Sequence, residues 1–168
     1  MSASYRLILV EDDQEYSYSI RQSLNRQSQF IKTIDIVPYT YLEFERQLNL
    51  VRNSTREIIV FGGRACLNFS PDTSLLKLLL AQQDRTHFFV MTASLEGRQI
   101  LDLWHPGILG IVERNVTARN WLVLAIQRLQ SKQSRRPGGE GRLALPNEQA
   151  PAKGFFGTMR AAFFSFFL

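Results

Sequence analysis

Apolar residues along this chain fall into short continuous runs separated by stretches with helical spacing. Leu7, Ile8, Leu9 and Val10 form one run bounded by charge, the pattern of a strand buried on both faces of a parallel sheet. Tyr16, Ile20 and Leu24 then recur every fourth residue and predict one face of a helix. Residues 30–37 hold Ile31, Ile34, Ile36 and Val37, with Pro38 following; this reads as a second strand near a sheet edge. Thr40 predicts the N-cap of a helix using Leu42, Phe44, Leu48 and Val51. Residues 58–61 predict a third strand, and Leu75, Leu76, Leu78, Leu79 and Leu80 a largely buried helix over residues 73–82. A fourth strand is predicted at 88–91, then a helix capped by Ser94 and carrying Ile100, Leu101, Leu103 and Trp104. A fifth strand at 108–112 precedes a helix over about 118–130 with Leu122, Ala125, Ile126 and Leu129 inward.

Five strand–helix units in series predict an α/β domain, a parallel sheet with helices on both faces. Right-handed crossovers favour the flavodoxin-like strand order 2-1-3-4-5. In such sheets the site lies beyond the carboxyl ends of the strands, where Glu11, Asp12, Gly62, Thr92 and Arg114 fall. The predicted organisation is a folded domain over 1–132, a flexible linker over 133–153 rich in Gly, Ser, Pro and charge, and an aromatic segment over 154–168.

Composition narrows the partners. The formal net charge is +5, with much of the excess late, in Lys132, Arg135, Arg136, Arg142, Lys153 and Arg160. That balance permits anionic lipid or nucleic acid without establishing either. Cys66 is the one cysteine, so an internal disulfide and a cysteine metal cluster are both excluded; a buried, inert side chain is expected for it. The first residues lack the apolar stretch of a signal peptide, and no run is long enough to span a bilayer. The expected location is the cytoplasm, with membrane association through the last residues left open. His87 and His105 have no triad context, and Gly62-Gly63 lacks the lysine and spacing of a phosphate-binding loop.

Val10 followed by Glu11-Asp12-Asp13, the interval from Gly62 to Thr92 and that from Thr92 to Arg114 together resemble the receiver domain of two-component response regulators. The resemblance covers about the first 130 residues. It implies that Glu11 and Asp12 stand where the family holds magnesium, Gly62 where it carries the phosphoacceptor aspartate, Thr92 at the hydroxyl position and Arg114 at the lysine position. Glycine supplies no nucleophile. Glu57 lies at the opposite end of the strand and Asp72 in the following loop, so neither substitutes. With one carboxylate gone, at most weak magnesium binding at Glu11 and Asp12 is expected, and no cofactor. Arg114 keeps the charge in a planar fork, with Asp12 or Glu11 as its expected partner. Ile111 stands where the family has a mobile aromatic, and is stiffer. A second reading stays open for each residue: the acids as a helix N-terminus, Thr92 as a cap, and Arg114 as a surface charge.

The resemblance implies a degenerate pseudo-receiver rather than an enzyme, acting as an interaction adaptor in signalling or assembly. Expected partner contacts are Trp104 and Trp121, near the last two helices, although either can instead be a core residue. The tail supplies the others. On a helix, Phe155, Phe156, Met159, Phe163, Phe166 and Phe167 share one broad face. Burial of each such side chain is worth about 1.5–3 kcal/mol, against about 1.5 kcal/mol to order each residue. The tail is therefore expected to order only against a protein groove, a bilayer interface or its own domain. A protein partner is the favoured occupant. A peripheral membrane protein and a regulator with a nucleic-acid partner are the alternatives, and a homodimer is compatible with the last helix.

Overall fold

The computed structural model describes residues 4–134. They form a five-stranded parallel sheet of order β2-β1-β3-β4-β5, built from β1 (Tyr5–Val10), β2 (Ile34–Tyr39), β3 (Glu57–Phe61), β4 (His87–Thr92) and β5 (Ile108–Glu113). The connecting helices are α1 (Gln14–Asn25), α2 (Tyr41–Arg46), α3 (Thr73–Gln82), α4 (Gly97–Leu103) and α5 (Ala118–Ser134). The expected strand order and fold class are those observed.

Strand alternation divides the core into two layers. Leu7, Leu9, Ile58, Val60, Phe89 and Met91 pack with Ile20 and Leu24 of α1 and with Leu122 and Ile126 of α5. Ile8, Val10, Ile59, Phe61, Phe88 and Val90 face the other way, onto Tyr41 and Phe44 of α2, Leu75, Leu76 and Leu79 of α3, and Leu103 of α4. The three central strands are apolar on both faces, which accounts for their continuous runs.

Several boundaries differ from the sequence reading. β2 begins at Ile34 and includes Pro38, which pairs in register with Leu9. An edge strand tolerates proline because its outer side has no ladder to feed. Of residues 30–33, which lie outside β2, Lys32 has its backbone taken up by Gln130 of α5: Lys32 N donates to Gln130 Oε1 and Gln130 Nε2 donates back to Lys32 O. Thr40 does cap α2, in a reciprocal capping box with Glu43. The helix stops at Arg46, however, and a 3₁₀ turn at Leu48–Leu50 follows. Its inward residues are Tyr41 and Phe44, and Leu42 is 57% exposed. Leu78 of α3 is also exposed. Ser94 does not cap α4. The N-cap residue is Glu96, whose side chain makes no capping bond. Leu101 is 75% exposed, and Trp104 follows the helix rather than lying in it. α5 continues through Ser134, two residues into the segment read as linker. Cys66, expected to be buried, is exposed in the 3₁₀ turn Ala65–Leu67, because the β3–α3 loop turns out to solvent there.

Candidate functional site

The carboxyl ends of β1, β3, β4 and β5 converge, as parallel strands require. Glu11 N donates to Tyr39 O, Gly62 N to Val10 O at 2.7 Å, Asp12 N to Gly63 O, and Arg114 N to Thr92 O at 2.7 Å. These bonds carry the ladders past the ends of the strands and fix where each following side chain starts.

Glu11 dominates the site. It is buried to 2% exposure, and both carboxylate oxygens are fully engaged. Oε2 accepts from Gly63 N at 2.9 Å and from Arg114 Nε at 3.1 Å. Oε1 accepts from Asp13 N at 3.0 Å and from Arg114 Nη2 at 3.2 Å. Arg114 thus meets Glu11 as a fork, the strong geometry for this pair, and its Nη2 also reaches Asp13 Oδ2 at 2.8 Å. The guanidinium carbon lies over two rings, 4.2 Å from the Tyr16 centroid and 4.7 Å from that of Phe69, a cation–π contact with each.

Gly62 is explained by space. A Cβ at that position would lie 2.4 Å from Glu11 Oε2, 3.0 Å from Met91 Cε and 3.0 Å from Val10 O. The Glu11 carboxylate occupies room that any larger residue 62 would need. Gly63 is tight for another reason. The β3–α3 loop folds back through an isolated Arg64–Ser70 bridge, and an added Cβ would lie within 2.9 Å of three Phe69 atoms. Phe69 itself has φ 58°, a left-handed conformation that is costly for a bulky residue. That turn brings its ring to Arg114.

The other acids are committed as well. Asp12 Oδ1 accepts from Tyr41 N at 2.9 Å and its Oδ2 from Ala65 N at 2.8 Å. Asp13 caps α1 by accepting from Tyr16 N at 3.0 Å. That backbone bond, and then Arg114, hold its carboxyl below the usual range. Burial pushes the Tyr16 phenol up to about 12, so it stays protonated and donates to Asn115 O. Burial also raises the Tyr41 phenol, which donates to Gly62 O and accepts from Asp72 N.

These residues do not fit a divalent cation. Every carboxylate oxygen of Glu11, Asp12 and Asp13 already accepts a bond from a protein N–H. The guanidinium of Arg114 also stands against two of the three acids. A hard cation needs several oxygens free to turn toward it and would meet a fixed positive charge instead.

Of the residues singled out in the sequence, Glu11, Gly62 and Arg114 come together. Arg114 pairs with Glu11 and not with Asp12, which turns to the α2 side. Buried Thr92 donates its hydroxyl to Ser94 O at 3.0 Å, a local turn contact. Glu57 is buried at the far end of β3 against Arg6. Asp72 caps α3 and pairs with Arg64. Ile111 packs half-buried on the second core layer. The Trp121 ring stands edge-on to Phe89, with centroids 5.7 Å apart, and covers Gly110, so much of it serves the core. Trp104 is 52% exposed. The tail residues lie outside the described residues. Sequence reasoning missed Asp13 as an Arg114 partner, and also Tyr16 and Phe69. The N-cap position of Asp13 was a usable signal; nothing local pointed to Phe69.

With this geometry in view, the solved structures it resembles are informative. One is a CheY-like response regulator receiver domain protein from Methanospirillum hungatei: 18% identity, TM-score 0.54, covering 78% of this chain and 99% of the other. The chain has the receiver-domain fold. Another match is a two-component response regulator from Legionella pneumophila, at 16% identity and TM-score 0.54 over 76% of this chain and 99% of that one. A third is an atypical orphan response regulator described as revealing a phosphorylation-independent regulatory mechanism. It has 15% identity and TM-score 0.51 over 75% and 95% of the two chains. No family model and no curated protein matches the sequence. At these identities the likeness establishes the receiver fold.

Proposed function

We propose that this chain is a phosphorylation-independent receiver module, a non-enzymatic interaction adaptor in signalling or complex assembly. The observation that carries this reading is Glu11 Oε2 standing 2.4 Å from where the Cβ of residue 62 would be. The carboxylate is supplied from β1 rather than β3 and is already neutralised by Arg114. A receiver switches when a phosphoryl group arrives between a nucleophile, a cation and a metal. Here an internal ion pair fills that place, and two rings hold its guanidinium. An equilibrium moves only by differential affinity for its two states, and this site offers a phosphoryl donor neither nucleophile nor room.

Regulation would then rest on which partners are present. The exposed Leu101 and Trp104 at α4 supply one candidate contact. The aromatic tail, with Phe155, Phe156, Met159, Phe163, Phe166 and Phe167, supplies a second. Two tethered contacts raise avidity through effective concentration.

The test has two arms. Incubation with acetyl phosphate and with a histidine kinase is expected to give no hydroxylamine-labile acyl phosphate on this chain; stoichiometric labelling would remove the proposal. Co-purification of the full chain from native cells is expected to retain a stoichiometric protein that Phe163→Ser, Phe166→Ser and Phe167→Ser together release. Recovery with membranes alone would replace the adaptor by a lipid-anchored protein.

A further inference from the structure

A cavity of about 440 Å³ lies beside the edge strand, between the first two turns of α1 and the segment that leads from β2 into α2. That volume is in the range of small-molecule sites. Gln14, Ser17, Tyr18 and Arg21 line one wall, at the i, i+3, i+4, i+7 spacing of a single helix face. Pro38 and Tyr39 from the end of β2, with Thr40 and Glu43 from the capping box of α2, form the other. Glu11 borders the cavity as well.

Arg21 is the one cation of this lining, and it is unsatisfied. Its Nε is buried without a hydrogen-bond acceptor among the described residues. No carboxylate among them lies within ion-pair distance of its guanidinium either. A covered donor without an acceptor costs the full desolvation of that group, and more when the group is charged. Native chains keep few such groups. We propose that this cavity binds a small organic carboxylate through Arg21. A turn of the long side chain into the cavity would present Nε and one Nη together, and a carboxylate matches that fork with two parallel bonds.

The remaining walls narrow the ligand class. Glu11 brings no open charge, since its side chain is fully covered and Arg114 already pairs with it. Glu43 is exposed, and its Oε2 accepts from Thr40 N at 2.8 Å and from Thr40 Oγ1 at 2.9 Å. Those two bonds hold it on α2 and limit its competition for Arg21. A phosphate dianion would be repelled by Glu43 about twice as strongly as a single carboxylate. Buried Ser17 and exposed Gln14 add neutral polar groups on the Arg21 wall. Tyr18, Pro38 and Tyr39 supply ring surface for an apolar body. The Tyr18 hydroxyl is already taken up by Gln22, which leaves its ring rather than its oxygen to a ligand.

The experiment titrates the isotope-labelled full chain with phenylacetate, following the backbone amides and the arginine Nε–H signals. Saturable shifts are expected at Gln14, Ser17, Tyr18 and Thr40 and at the Arg21 Nε–H, weakening at high salt. Phenylacetamide, of the same shape without the charge, should bind about tenfold more weakly, the worth of one charge-assisted contact. Arg21→Gln should weaken phenylacetate by a similar factor, and Arg21→Lys should recover part of the loss, as a point charge without the fork. Lys77→Gln removes an exposed cation on α3 outside the cavity and should leave binding unchanged. The unliganded amide spectrum of each variant checks its fold. The proposal is overturned by no saturable shift at these residues, by undiminished binding in Arg21→Gln or by equal weakening in Lys77→Gln. Phenylacetamide or inorganic phosphate binding as tightly as phenylacetate would overturn it too. Acyl phosphate on this chain would remove the adaptor reading without touching carboxylate binding at Arg21.

Discussion

A single methyl group at position 62 tests the central contact. It would lie 2.4 Å from Glu11 Oε2, with Met91 and Val10 both at 3.0 Å. Gly62→Ala should therefore destabilise the domain by about 1–3 kcal/mol, the usual range for overpacking. In a Glu11→Ala background the same change should cost at least about 1 kcal/mol less, since the oxygen it strikes is gone. Urea denaturation of the four proteins measures this coupling, and strict additivity would refute the steric account. Arg114→Leu leaves the Glu11 carboxylate buried without its cation and should cost about 3–5 kcal/mol. Arg114→Lys should cost less, because a point charge keeps the attraction but loses the fork and the stacking; equal losses in the same denaturation series would refute that. The positions of Gly62, Thr92 and Arg114 were legible because strand ends follow from intervals. The sequence reading left the partner of Arg114 open between Asp12 and Glu11, and the layer that each strand end faces decides it. Leu9 and Val112 face the α1–α5 layer, so Glu11 and Arg114, each two residues on, start from the same face. Asp12 starts from the other. Phe69 was not legible, since its place depends on a left-handed turn in a loop.

Helix starts show where local chemistry decides an element. Thr40 and Ser94 look alike as N-cap candidates, yet only Thr40 has a glutamate three residues later to close a capping box. Three residues after Ser94 comes Gly97. α4 accordingly starts late, at an N-cap without a side-chain bond. It is also short and buries only Leu103. Helices of this kind open below the global unfolding energy. Amides of α4 should exchange faster than those of α1 or α5 in native-state hydrogen exchange, and Glu96→Ser should stabilise the chain by about 1 kcal/mol through a new cap. Protection in α4 equal to that in α5 would show that tertiary contacts hold it instead. The edge position of β2 was readable from Pro38, but its start was not. The backbone of Lys32, just ahead of β2, is claimed by Gln130, about 100 residues later in the chain, and no local pattern announces a contact of that separation.

At the scale of the described residues 4–134, the last turn of α5 returns to the amino-terminal edge of the sheet. Tyr5, Thr55 and His87 meet Gln133, which fastens the last turn of α5 to the amino-terminal edge of the sheet. The layer pattern disclosed the two cores; this polar closure it could not disclose, since it joins four segments through a glutamine read as linker. The closure has a pH signature. Burial lowers the pKa of His87, with the Thr55 carbonyl partly opposing, so the folded state favours the neutral ring. Unfolded, the ring takes up a proton at about pH 6.5. Between that value and the lower folded pKa, the unfolded chain binds more protons. Stability from this group is therefore present above pH 6.5 and is lost as pH falls toward the folded pKa. Thermal unfolding from neutral pH down to the carboxylate range should show that decline, and His87→Asn should flatten it. A slope unchanged in His87→Asn would mean that other groups carry it and that the ring is not part of the α5 closure.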